Sequence, residues 1–222
     1  MKKLLSLCLT GFFLATYSQM KDTAIPALIP QTINQKTGYV NQSGKVVIPA
    51  EYHIAMFFSE DCNLLNSPNK KVRMYGSDDY ATVEKNQITY RIDRKGTRVY
   101  QYKNEDLGKC TLPYESPKYK AFVMNGFYGL VSKEDVDYKN YKDFEIYPQY
   151  QMLYVLDSDK ENPMIIAVLD NKFGIINKNN QVVIPFIYDD IKTNLSWKMA
   201  NLFEVSRDGK EYFYINKNNH AY

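Results

Sequence analysis

Apolar and polar positions along this chain come in short alternating blocks. The clearest block, Lys172 to Ile191, reads KFGIINKNNQVVIPFIYDDI. Phe173–Ile176 and Val182–Ile187 are rich in β-branched and aromatic residues. They are too short for a typical helix, so they predict strands. Between them, Asn177-Lys178-Asn179-Asn180-Gln181 has the composition of a tight turn. Pro185 cannot donate to a ladder, so the second strand is expected to end, bulge or lie on an edge there.

The block recurs. Its first strand carries an aliphatic anchor at Val40, Ile92, Val131, Ile176 and Ile215. The next residue, Asn41, Asp93, Ser132, Asn177 or Asn216, can bond nearby backbone and start a turn. Four positions after the anchor stand Gly44, Gly96, Asn180 and Asn219. These residue types most easily take the positive φ at the end of a tight hairpin turn. Nine positions after the anchor come Pro49 and Pro185, each inside VVIP. In the third copy the matching Pro148 lies 17 residues after Val131, which implies an eight-residue insertion within Lys133–Asp143. The anchors are spaced 52, 39, 45 and 39 residues apart. A period near 40 points to stacked repeats. The expected fold is all-β: a tandem array of about five β-hairpin repeats, curved or closed like a propeller. Little helix is expected, because no long apolar face of 3.6 period carries caps.

The remaining stretches fall between these blocks. Ile25–Pro30 looks like the second half of a unit without a first half, and Phe213–Tyr222 like a first half and its turn. Either these halves pair and close the array, hiding two strand edges, or each forms its own cap. Met56-Phe57-Phe58 and Leu153-Tyr154-Val155-Leu156 read as strands closing their units. Asn66–Asp79 and Gln101–Lys120 read as irregular excursions.

Residues 1–18 have the pattern of a secretory signal. Lys2 and Lys3 precede the apolar run Leu4–Ala15, and Thr16-Tyr17-Ser18 offers a cleavage site before Gln19. The run is shorter than the ~20 residues of a membrane span. Leu5-Ser6-Leu7 lacks the small residue expected before a lipidated Cys8. Residues 19–222 are then a single repeat domain, expected in the periplasm, on the outer surface or secreted. Losing two lysines lowers the formal charge from +3 to +1. That balance argues against nucleic acid as the main partner, and no later stretch is suited to span a bilayer.

Candidate chemistry is sparse. Cys62 and Cys110 remain after signal removal, either bridged, as an oxidising compartment permits, or as two buried thiols. His53 and His220 have no ligand-spaced partners, and no HExxH, CxxC, GxSxG or phosphate-loop motif is present. No cofactor, metal or catalytic residue is expected. Asp157-Ser158-Asp159-Lys160-Glu161-Asn162 reads as a solvated acidic turn, because it lacks the glycine and distal glutamate of a calcium loop. The strongest bias is 20 tyrosines and 11 phenylalanines beside one tryptophan. Most are expected to pack between repeats, and a minority to line a binding face.

The segments TGYVNQSGKVVIPAEY, TYRIDRKGTRVY, FYGLV, FGIINKNNQVVIPFIYDD and FYINKNN resemble the WG repeat family of bacterial β-repeat proteins. Its unit runs roughly Trp-Gly-aromatic-Ile-Asp, Lys-x-Gly-Lys, Val-Ile-Pro and Tyr-Asp. The motif glycine is kept at Gly38, Gly129 and Gly174, and the proline at Pro49 and Pro185. Tyr128, Phe173 and Tyr212 stand at the tryptophan site, with Thr37 and Thr89 there in the first two copies. The resemblance implies binding and cell-envelope roles and no shared enzymatic activity. The expected function is therefore an exported, non-catalytic binding or scaffold protein of the bacterial envelope. It would hold another envelope protein through a tyrosine-rich face or an exposed strand edge. The alternative is glycan binding by exposed aromatics, and a hydrolase assembled from loops ranks last.

Overall fold

The structure, a computed structural model, describes residues 25–111, 116–133, 144–156 and 159–222. The described chain is all-β, with two short α-helices, Cys62–Leu65 and Ser196–Ala200. Its strands form five antiparallel sheets that follow one another along the chain. The first contains β1 (Leu28–Ile33), β2 (Lys36–Asn41) and β3 (Val46–Tyr52). The second contains β4 (Ile54–Phe58), β5 (Ala81–Lys85), β6 (Ile88–Ile92) and β7 (Arg98–Gln101). The third contains β8 (Tyr119–Met124), β9 (Phe127–Ser132) and β10 (Phe144–Tyr150). The fourth contains β11 (Met152–Val155), β12 (Met164–Leu169), β13 (Lys172–Asn177) and β14 (Val182–Tyr188). The fifth contains β15 (Asp190–Ile191), β16 (Phe203–Ser206) and β17 (Tyr212–Ile215).

The repeating unit is larger than the expected hairpin. Each anchor strand pairs on one side with a preceding strand, through a first turn that the anchor pattern does not reveal. In four sheets this turn has two residues, both at positive φ: Asn34-Gln35, Asn86-Gln87, Asn125-Gly126 and Asp170-Asn171. That is the geometry whose twist matches two paired strands. The Asn and Asp doublets are its signal in the sequence.

Successive side chains on a strand face opposite ways, so each anchor strand has an anchor face and an opposite face. Tyr39, Ile48 and Tyr52 of the first sheet pack on Ala81, Val83, Tyr90 and Ile92 of the second. Leu130, Ile146 and Tyr150 of the third meet Ile165, Ala167 and Ile176 of the fourth. Ile166, Ile175, Ile184 and Tyr188 of the fourth meet Phe203, Val205 and Ile215 of the fifth. The fourth junction joins the two ends: Ile29 and Val40 cluster with Ala200 and Leu202, against Ile25, Tyr214 and Tyr222. Phe57 belongs to this cluster and meets the Tyr214 ring edge-on at 5.2 Å. The sheets thus pack in the succession third, fourth, fifth, first, second. Among the described residues no core cluster joins the second sheet to the third.

Three expectations are corrected. Ile25–Pro30 is not half of a broken unit, because its last three residues lie in β1, which pairs along its whole length with β2. The two ends therefore meet by side-chain burial and not through a shared ladder. Met56-Phe57-Phe58 and Leu153-Tyr154-Val155-Leu156 do not close their units; the first lies in β4, and all of the second but Leu156 lies in β11, strands that open the second and fourth sheets. Tyr52 and Ile54 flank a single residue, as do Tyr150 and Met152, and the chain changes sheet there. The signal segment 1–18 and most of the proposed insertion within Lys133–Asp143 lie outside the described residues.

Candidate functional site

The four anchor turns share one geometry. Gly44, Gly96, Asn180 and Asn219 have φ of 78°, 84°, 62° and 60°. In each turn the corner residue donates its N–H to the carbonyl three residues earlier, on Asn41, Asp93, Asn177 or Asn216. The same four side chains accept from two further backbone N–H groups in the turn. The turn is thus satisfied locally, before any tertiary contact forms.

The motif glycine and proline prove to be two parts of one device. Opposite Gly38, Gly129 and Gly174, the partner strand spends four residues where the anchor strand spends two: Ile48 to Tyr52, Ile146 to Tyr150, Ile184 to Tyr188. Pro49, Pro148 and Pro185 sit in these bulges, where a missing N–H costs no ladder bond. The bulged backbone crosses close over the glycine. A Cβ on Gly38 would stand 2.5 Å from the Ile48 oxygen, on Gly129 2.6 Å from the Ile146 oxygen, and on Gly174 2.9 Å from the Ile184 oxygen. The second and fifth units have Tyr90 and Phe213 at the glycine position, and the second has Gln101 at the proline position.

The tyrosine that ends each bulge reaches the next sheet. Tyr52, Tyr150 and Tyr188 are buried. Tyr52 meets Tyr90 at 6.3 Å, Tyr150 stacks on Phe186 at 5.9 Å, and Tyr188 meets Phe213 at 6.2 Å. The Tyr150 hydroxyl donates to Asn180 Oδ1 at 2.7 Å and Tyr188 to Asn219 Oδ1 at 2.6 Å. These three tyrosines are therefore structural.

Among the described residues, two apolar surfaces carry exposed side chains. On the anchor face of the third sheet, Phe122 and Phe144 rings lie 4.8 Å apart and Phe144 and Tyr147 5.8 Å apart. Phe127 and Tyr147 there are 48% and 56% exposed. On the anchor face of the first sheet, a shallow groove runs between Gln31, Ile33, Gly38, Val40, Val46 and Ala50.

Polar groups mostly serve the scaffold. Cys62 and Cys110 are joined, with Cα atoms 5.4 Å apart. Arg91, which no motif singles out, is 1% exposed. Its guanidinium donates to the carbonyls of Ser59, Tyr75 and Ser77 and to the Thr82 hydroxyl. It thereby holds the excursion after β4 against the second sheet. Nearby, Tyr102 donates to Asp61 at 2.5 Å; burial, followed by this carboxylate, pushes its phenol up to about 12. His53 Nε2 lies 2.8 Å from Lys36 Nζ, and His220 closes the last anchor turn. Asp159 caps the N–H groups of Glu161 and Asn162, as a solvated turn would; Asp157 and Ser158 lie outside the described residues. Among the described residues no three His, Cys, Asp or Glu side chains gather as metal ligands.

The family model of the WG containing repeat matches residues 38–62 and 173–196. These spans hold the first and fourth units, the two with Gly, VVIP and Tyr in full. The chain is thus a β-repeat protein carrying WG containing repeats in degenerate form. No curated protein and no solved structure matches it.

Proposed function

We propose that this chain is an exported, non-catalytic scaffold of the bacterial envelope. Its array is curved and stays open between the second and third sheets, and it holds a partner protein on the aromatic face of the third. The observation that carries this reading is the Phe122–Phe144–Tyr147 row, beside the half-exposed Phe127, at an end of the packing succession. Aromatic anchors of this kind supply large contact area at low entropic cost. The other end differs, because Arg91 ties the second sheet's own excursion over it. The charged start and apolar run of residues 2–15 support export.

The test places a photoreactive residue at Phe127 in protein expressed in its native envelope. A discrete cross-linked protein is expected, and it should be lost when Tyr147→Ser is added. No cross-link, or one indifferent to Tyr147, removes the reading. The exposed Tyr147 ring also suits stacking on a sugar. Glycan-array binding abolished by Tyr147→Ala would transfer the same face to a carbohydrate.

A further inference from the structure

The two-residue turns that precede the anchor strands are alike in backbone and unlike in chemistry. Asn171 of the fourth sheet is tied: Gln151 Nε2 donates to its Oδ1 at 3.0 Å, and its own N–H donates to Gln151 Oε1 at 2.7 Å. Asn34, Asn86 and Asn125 are exposed, and among the described residues their side chains have no hydrogen-bond partner. Glutamine follows the first two, whereas Gly126 follows Asn125, the single Asn-Gly pair in the chain. Gly126 has φ 82°, and nothing lies within 4 Å of the place a Cβ would take, so its nitrogen can be approached. Other pairs of this kind are occupied. At Asn66-Ser67 the Asn66 amide donates to the Cys62 carbonyl at 2.9 Å. At Asp208-Gly209 the carboxylate accepts from the N–H groups of Glu211 and Lys210; these bonds and that of Ser206 hold it below the ordinary carboxylate range, and an ionised carboxylate offers no leaving group.

We propose that Asn125 is a site of spontaneous backbone modification, which converts with time to aspartate and isoaspartate and loosens the tip of the β8–β9 hairpin. The Gly126 nitrogen gives up its proton to solvent base and attacks Asn125 Cγ. The new C–N bond closes a succinimide ring as the Cγ–Nδ2 bond breaks and ammonia leaves. Water then opens the ring. Cleavage at Cγ gives aspartate, and cleavage at the main-chain carbonyl gives isoaspartate, whose backbone runs through Cβ and Cγ. The turn must open for the nitrogen to reach Cγ. At this end the hairpin is closed by the Met124–Phe127 pair, Val123 and Phe127 are exposed, and the ends of ladders fray at small cost. Isoaspartate adds a methylene to the main chain of a turn whose paired positive φ values match the strand twist. The Met124–Phe127 pair then loses its register, and Phe127 moves relative to the aromatic row. The chemistry depends on no partner for that face, so it stands apart from the function proposed above.

The test ages the full folded chain at mildly alkaline pH and follows it by peptide mapping and mass spectrometry. The mass gain of an amide-to-acid conversion should appear first in the tryptic peptide of residues 121–133, with isoaspartate among the products. Its rate should rise in proportion to hydroxide. Asn125→Gly leaves a Gly-Gly pair, which also suits this turn, and should abolish the conversion. In isotope-labelled protein the amide signals of Met124 and Phe127 should move on ageing. In freshly prepared Asn125→Asp, which adds the charge without lengthening the backbone, they should stay close to those of the parent. Conversion that begins at Asn34 or Asn86, or an Asn125 amide that outlasts either, would overturn the assignment of the site. Isoaspartate formed while the Met124 and Phe127 signals stay in place would overturn the loosening of the turn.

Discussion

The Tyr188 hydroxyl donates to Asn219 Oδ1 across 2.6 Å, joining the last strand of one sheet to the anchor turn of the next. The same asparagine holds its backbone at φ 60°, so one residue forms the corner and receives the neighbour. Tyr150 and Asn180 repeat the arrangement one unit earlier. Tyr188→Phe should cost about 1 kcal/mol, as should Tyr150→Phe, and the two should add because they serve separate junctions. Asn219→Gly keeps the corner and loses the acceptor. A double-mutant cycle with Tyr188→Phe, read from urea midpoints, should show the second change costing little once the first is made.

Two glycines of the first unit should respond very differently to alanine. Gly44 has φ 78°, and nothing lies within 4 Å of the place a methyl would take, so Gly44→Ala should cost about 1 kcal/mol for the left-handed backbone. Gly44→Asn should cost less, since asparagine fills that corner twice elsewhere. Gly38→Ala would drive a methyl into the backbone of Ile48 and Ala50, and should cost about 3 kcal/mol or more. Denaturant unfolding that ranks Gly44→Ala as the worse of the pair would contradict the bulge account.

The Cys62–Cys110 bridge spans 48 residues. On chain-entropy grounds, a loop of that size contributes about 4 kcal/mol. Replacing both cysteines by serine should lower the urea midpoint accordingly. The excursion after β4 should become the first site of limited proteolysis, because it would lose its covalent tie and keep only non-covalent ones, such as the hydrogen bonds from Arg91 and Tyr102.

Glu204 is raised above the ordinary carboxylate range, first by burial, with Asn194, Lys192 and Tyr214 offsetting part of the effect. A carboxyl raised in the folded state favours folding at low pH, and that contribution is lost as pH rises through its folded value. Glu204→Gln should therefore match the parent near about pH 4 and exceed it near about pH 7. Paired urea titrations at the two pH values check the sign.

The turns are legible in the chain, because a positive φ at one corner is a demand that one residue can meet or fail. Gly44, Gly96, Asn180 and Asn219 announce it without reference to anything distant. The doublets Asn34-Gln35 and Asn86-Gln87 carry the same kind of signal for the first turns, although the repeat offsets do not single them out. The pairing of Gly38 with Pro49 is visible as two letters, but their shared purpose requires a bulge register that only the ladder shows. Which sheet packs on which is not legible. Ile29 and Val40 meet Leu202 because burying their apolar surface together outweighs the long chain between them, and no local residue encodes that choice. For the same reason the chain suggests that tyrosines pack between repeats, but only the tertiary structure picks out Tyr39, Tyr52, Tyr90, Tyr150 and Tyr188 as the ones buried between sheets. A turn is decided by backbone sterics over a few consecutive residues, whereas a junction is decided by the summed burial of side chains from remote strands.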